Sequence, residues 1–186
     1  MTSKHDLRRD QRALRRSLAS RVPGAATRAA ENLPADLRSA IVGGYLPMGS
    51  EMDPGPVLQH LVARGAKLAL PVCLAAERPL IFRAFCAGDR LVPDAEGLAA
   101  PAPSAEVLVP DVLILPLLAF DAHGGRLGQG GGYYDRTLQA FRSAGRVWAI
   151  GLAYACQEVD CVPVDGMDQS LDAILTETGY IVPKRT

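Results

Sequence analysis

Between Phe120 and Arg136, six of seventeen residues are glycine, and no other feature restricts the fold as strongly. Each glycine carries backbone freedom that folding must remove, so such a cluster needs a compensating use. Glycine offers close approach. Without Cβ atoms, successive backbone N–H groups can converge on the oxygens of an anion, and a helix beginning just beyond the run adds the positive end of its dipole. The run is preceded by the most apolar stretch of the chain, residues 111–118, with Val112, Leu113, Ile114 and Leu115 in succession. That stretch reads as a central strand buried on both faces. Residues 133–143 read as a helix, so the expected local order is strand, glycine loop, helix.

The spacing excludes two common phosphate loops. A P-loop requires G-x-x-x-x-G-K-[ST], which the sequence lacks. A dinucleotide fingerprint needs its third glycine where Tyr133 stands, and the preceding strand ends too far upstream for the usual tight turn. Glycine content alone leaves two readings open, an anion-binding loop and a set of surface turns. The flanks add chemistry. Arg126 offers a fork of donors suited to phosphate. Asp135 is a candidate Mg2+ ligand or, alternatively, a carboxylate complementing the helix dipole. Tyr133 and Tyr134 read as packing residues, and Arg136 as a solvated helix residue.

Elsewhere helices and strands alternate. Residues 4–20 place Leu7, Leu14 and Leu18 on one helical face with arginines on the others, and Pro23-Gly24 ends that helix. Residues 25–38 read as a second helix, weakened by Pro34. A strand at 41–46 is followed by a helix with Asp53 as N-cap and Pro54 at its first position. Val57, Leu58, Leu61 and Val62 form its buried stripe, Gly65 closes it, and a strand at 67–72 completes the unit. Further strands are expected at 80–85, 147–152, 173–175 and 180–182. Residues 88–110, rich in Pro, Gly and Ala, read as an irregular surface excursion. The expected fold is a single α/β domain over residues 1–186, a largely parallel central sheet flanked by helices.

Composition narrows the class. The 186 residues are 48% hydrophobic and 22% charged, an ordinary globular balance, and no apolar run is long enough to span a bilayer. Residues 1–16 are charged without an apolar core, so a signal peptide is not expected. Four cysteines without C-x-x-C spacing read as mostly buried thiols in a reducing compartment, which suggests the cytoplasm. Formal net charge is zero, but residues 1–40 hold nine basic and four acidic side chains. That segment suits an anionic ligand or an acidic partner surface. A nucleic-acid-binding role for the basic first helix is the weakest reading, given zero net charge, 5% aromatics and no known motif.

The block Arg126-Leu127-Gly128-Gln129-Gly130-Gly131-Gly132-Tyr133-Tyr134-Asp135-Arg136 closely resembles the signature of the 5-formyltetrahydrofolate cyclo-ligases. The resemblance runs over nearly the whole chain: Lys4-x-x-Leu7-Arg8, Tyr45-x-Pro47, Glu51, Phe120-Asp121, Gly151-Leu152-Ala153, Gln157, Pro163, Asp168, Asp172 and Thr176-Glu177. It implies an enzyme that converts 5-formyltetrahydrofolate to 5,10-methenyltetrahydrofolate with ATP and Mg2+; a monomer with no nucleic-acid or membrane partner is expected. The chemistry asks for in-line positioning and neutralised phosphate charge.

By resemblance, Lys4, Arg126 and Asp135 are catalytic. Lys4, Arg8 and residues 126–134 (Arg126, Leu127, Gly128, Gln129, Gly130, Gly131, Gly132, Tyr133, Tyr134) hold the nucleotide. Arg8, Leu46, Glu51, Gln129, Tyr133 and Tyr154 face the folate, with Met48 as a further wall, and Asp135 and Asp168 hold magnesium. Without the resemblance, Lys4 and Arg8 read as a solvated cationic face, Glu51 and Asp168 as loop residues, and Leu46, Met48 and Tyr154 equally as core. One departure stands out. Some members carry a lysine or another large residue within the glycine run, whereas Gln129 and Gly131 stand here, which leaves Arg126 as the loop's only expected cation. The alternative reading is a non-catalytic folate- or nucleotide-binding relative.

Overall fold

The computed structural model describes residues 3–145 and 147–184. Among them, helices α1 (Lys4–Arg21), α2 (Ala25–Glu31), α3 (Gly55–Ala63) and α4 (Tyr133–Ala144) pack around strands β1 (Ile41–Gly43), β2 (Lys67–Val72), β3 (Ile81–Ala84), β4 (Leu91–Pro93), β5 (Ala99–Pro101), β6 (Val107–Leu108), β7 (Val112–Pro116), β8 (Ala119–Phe120), β9 (Arg126–Leu127), β10 (Trp148–Leu152), β11 (Ala173–Thr176) and β12 (Gly179–Ile181). The main sheet has the order β12-β11-β10-β7-β1-β2-β3-β6. Its centre, from β11 to β2, is parallel, while β12, β3 and β6 join antiparallel at the edges.

The apolar run of β7 explains its central place. Alternate side chains of a strand face opposite ways. Val112 and Ile114 enter the core shared with α1, α2 and α3, and Leu113 and Leu115 enter the core under α4. All four are nearly inaccessible, each contributing roughly 1.5–3 kcal/mol by burial. On the α4 side, Phe82 meets Phe141 with ring centroids 6.0 Å apart.

Several expected boundaries move. The second helix stops at Glu31, with Asn32 closing it and Pro34 just beyond, because proline cannot continue the ladder. The first strand spans Ile41–Gly43 only. Pro54, not Asp53, is the cap of α3, while the Asp53 carboxylate still accepts from the Gly55 N–H at 2.9 Å. Val62 is 43% exposed and lies off the buried stripe. The 88–110 segment is not irregular throughout: β4 pairs with β5 in a separate hairpin, and β6 extends the main sheet. The cysteines are free, yet only Cys73 is buried, since Cys86 and Cys161 sit in loops and Cys156 in a short 3-10 helix, all outside the strands. No helix among the described residues is long and apolar enough to cross a membrane.

Candidate active site

The glycine run serves two structural jobs. Its first glycines build the β8–β9 hairpin, whose turn closes on Asp121. The Asp121 carboxylate accepts from the N–H groups of His123 and Gly125, both at 2.9 Å, and from Val162 at 2.8 Å. A Cβ at Gly125 would lie 2.5 Å from that carboxylate, so only glycine fits. The later glycines line a cavity. Gly132 ends the loop at φ +65° and caps α4, leaving the helix N-terminus open toward the loop, where its N–H groups favour an anion.

That cavity, about 670 Å³, lies between α1, the glycine loop, the β4–β5 hairpin and the 165–168 loop. Such a volume is typical of small-molecule sites. One face of α1 runs along it. Ser3 caps the helix by accepting from the Asp6 N–H, and Lys4, Arg8 and Arg15, spaced by four and seven, share that face. At the helical rise this row spans about 16 Å.

Lys4 Nζ donates to Asp165 Oδ2 at 2.7 Å and to Asp168 Oδ2 at 2.5 Å. Burial alone would lower the Lys4 ammonium, but these two hydrogen bonds outweigh it and raise it. Arg8 Nε donates to the Gly128 carbonyl at 3.1 Å. One turn on, Arg12 donates to the side-chain and backbone oxygens of Gln129, so α1 holds the glycine loop from outside. Arg126 emerges from β9 with its side chain only 4% exposed and donates to Asp135 Oδ1 at 2.5 Å. The same oxygen accepts from the Gln169 N–H at 3.1 Å, which brings the Asp168 loop beside Asp135. The buried Arg126 Nε has no hydrogen-bond partner among the described residues. Buried donors are normally satisfied, so it marks a place for a ligand oxygen.

At the other end, Glu51 is 8% exposed. It accepts from the Met48 N–H at 3.0 Å and lies 3.5 Å from Arg15 Nη1. Burial raises its carboxyl above the usual carboxylate range, and the Met48 N–H and Arg15 offset part of the rise. Arg15 is itself held by the Leu117 carbonyl at 3.1 Å and by Ser50 Oγ.

Seventeen positions were expected at the site. Lys4, Arg8, Leu46, Met48, Glu51, residues 126–135 and Asp168 all line the cavity, whereas Tyr154 does not. Tyr154 is 6% exposed and packs in the core beside Leu152 and Leu175, so its expected place against a substrate is corrected to packing. Sequence reading missed Arg15, Asp165, Arg136 and the hairpin residues Asp94, Glu96 and Leu98, all of which border the cavity. Arg126 is the loop's own cation, and Arg8 from α1 and Arg136 from α4 stand beside the loop.

A magnesium ion needs few protein ligands, because it keeps water and takes phosphate oxygens beside one or two carboxylates. Asp135 and Asp168 provide such a pair on one cavity. No group of three or more His, Cys, Asp or Glu side chains suited to a metal occurs among the described residues. The donor set therefore fits a cation that arrives with phosphate rather than one caged by protein alone.

The profile of the 5-formyltetrahydrofolate cyclo-ligase family matches residues 1–177. A 5-formyltetrahydrofolate cyclo-ligase of Escherichia coli K12 is 35% identical over 140 residues, which cover 73% of this chain and 76% of the relative. One from Mycolicibacterium smegmatis is 34% identical over 152 residues, covering 77% of each chain. The NMR structure of Aquifex aeolicus 5,10-methenyltetrahydrofolate synthetase superposes with a TM-score of 0.78 at 26% identity, covering 98% of this chain and 94% of that one.

Proposed function

The chain belongs to the 5-formyltetrahydrofolate cyclo-ligase family, and we propose that it uses ATP and Mg2+ to close 5-formyltetrahydrofolate to 5,10-methenyltetrahydrofolate. The reading is carried by one observation: Lys4 and Arg8, the glycine loop and Glu51 all face a single cavity.

The formyl oxygen attacks the γ-phosphorus of ATP, the bond to the bridging oxygen breaks, and ADP leaves. N10 of the folate then adds to the activated carbon and loses its proton, and phosphate departs with the former formyl oxygen. Little acid–base work falls to the protein. Its task is to hold two substrates in line and to offset phosphate charge. Arg126, Arg8 and the N-terminus of α4 bind and orient the polyphosphate at the glycine loop. Lys4 binds at the neighbouring end, next to Asp168. Asp135 and Asp168 would hold Mg2+, which supplies neutralisation of phosphate charge. Glu51, kept in place by Arg15 and the Met48 N–H, accepts from the paired N–H donors of the pterin, and Leu46 and Met48 cover its ring faces. Gln129, Tyr133 and Tyr134 lie between the two substrates, and the β4–β5 hairpin limits water from the opposite side.

The four free cysteines suit a reducing compartment, and the activity is assigned to a cytoplasmic monomer. Purified protein mixed with ATP, Mg2+ and 5-formyltetrahydrofolate should show the methenyl product's absorbance band and equimolar ADP. Binding of both substrates without turnover would favour the non-catalytic relative instead.

A further inference from the structure

Cations along the cavity differ in what already neutralises them. Lys4 is paired with Asp165 and Asp168, Arg126 with Asp135, and Arg15 with Glu51. Among the described residues, the two cavity-lining cations without a carboxylate within ion-pair distance are Arg8 and Arg136. Arg8 already has a place at the nucleotide. Arg136, in the first turn of α4, lines the same cavity and has none so far.

Several contacts fix Arg136 in place. Its Nη2 donates to the Gly131 carbonyl at 2.8 Å, and its guanidinium carbon stands 5.1 Å from the centroid of the Tyr133 ring. The side chain folds back over the helix start, and its Nη1 lies 2.7 Å from where a Cβ of residue 132 would be. Glycine at 132 therefore makes room for it. Its Nε is buried and has no hydrogen-bond partner among the described residues. A guanidinium holds five N–H donors in a rigid fork, and its bond to Gly131 leaves donors for a ligand. The group is fixed before binding, uncompensated in charge, and beside the backbone that cradles the anion.

We propose that Arg136 is a nucleotide-binding cation, donating to the polyphosphate at the glycine loop. It supplies charge that Lys4 and Arg126, each already shared with carboxylates, supply only in part. This rests on the ATP-dependent reading above and extends it to a residue to which the resemblance gives no nucleotide role.

Equilibrium titration of the full chain with ATP and, separately, with adenosine tests it in the wild type, Arg136→Lys and Arg136→Gln. The lysine keeps the charge. The glutamine keeps an N–H donor for the Gly131 carbonyl and removes the charge. The expected result is about 30-fold weaker ATP binding for Arg136→Gln, less than about 5-fold for Arg136→Lys, and adenosine binding within about 2-fold of wild type for both. ATP binding by Arg136→Gln within about 3-fold of wild type would overturn the proposal. So would equal loss of ATP and adenosine, which would mean that Arg136 only supports the loop. Cyclisation by the wild type is measured alongside. A wild type that binds ATP with this dependence but fails to cyclise the folate would defeat the functional reading and leave the Arg136 assignment standing.

Discussion

Arg126 Nη2 lies 2.5 Å from Asp135 Oδ1, and this contact ties the strand before the glycine loop to the first turn of the helix after it. The loop's two ends are thereby fixed across nine residues of sequence, so its backbone is shaped before any ligand arrives.

Removing Asp135 should therefore show in stability as well as in catalysis. Asp135→Ala leaves a buried guanidinium without its partner, at a cost of about 3 kcal/mol. For a chain of this length that lowers Tm by roughly 6–12 °C. Asp135→Asn keeps an oxygen acceptor and should lose about 1–2 kcal/mol, while Mg2+-dependent turnover falls at least about 100-fold. Thermal denaturation and an Mg2+ titration of the rate check both. Unchanged Mg2+ dependence in the asparagine variant would remove Asp135 from the metal's set.

Lys4→Ala should act on ATP. Its KM for ATP is expected to rise about 10–30-fold with little change for the folate. Lys4 is raised in the folded protein, so its contribution is complete below its ordinary value and is lost only as pH rises through the higher folded value. A pH–rate profile should show no Lys4-linked loss near neutrality. An alkaline limb near neutrality that Lys4→Arg moves would contradict this.

Glu51 should set an acid limb on folate binding. Its carboxyl is raised by burial, so it protonates at higher pH than an ordinary carboxylate. As pH falls the native state takes up this proton before the unfolded chain would, and the acceptor for the pterin N–H groups is lost. KM for 5-formyltetrahydrofolate is expected to climb as pH drops below that point, before exposed carboxylates titrate. Arg15→Met should move the limb to higher pH, and Glu51→Gln should abolish it. An identical limb in Glu51→Gln would assign it elsewhere.

Gly132→Ala tests the helix start. At φ +65° a side chain costs roughly 1 kcal/mol, and the added Cβ would fall on Arg136 Nη1. ATP binding should weaken about 10-fold or more, beyond what the small stability loss explains. Calorimetry beside thermal melts separates the two, and equal affinity would show that Arg136 tolerates displacement.

The periodic elements were readable because burial imposes them. Val112 to Leu115 face two cores at once, and that requires an unbroken apolar run. The β4–β5 hairpin was hidden because Pro93 and Pro101 cannot donate to a ladder and usually end strands, yet both sit in a two-stranded sheet with little ladder to satisfy. In the site, Lys4, Asp135 and Asp168 were named through the family likeness, since no local pattern relates residues so far apart. Arg15 carried a signal that went unused, its spacing from Lys4 and Arg8 on one helical face. Arg136 carried none, because an arginine in a helix's first turn looks solvated until Tyr133 and Gly131 are seen around it. Tyr154 was misplaced because tyrosine suits a folate pocket and a core equally well.

The most direct measurement of the central claim is product formation by the purified wild-type chain, followed by absorbance of the methenyl folate together with ADP release. The account predicts one ADP per methenyl product, with turnover absent when ATP, Mg2+ or the folate is omitted. A folded protein that binds 5-formyltetrahydrofolate and ATP yet forms no methenyl product would contradict it.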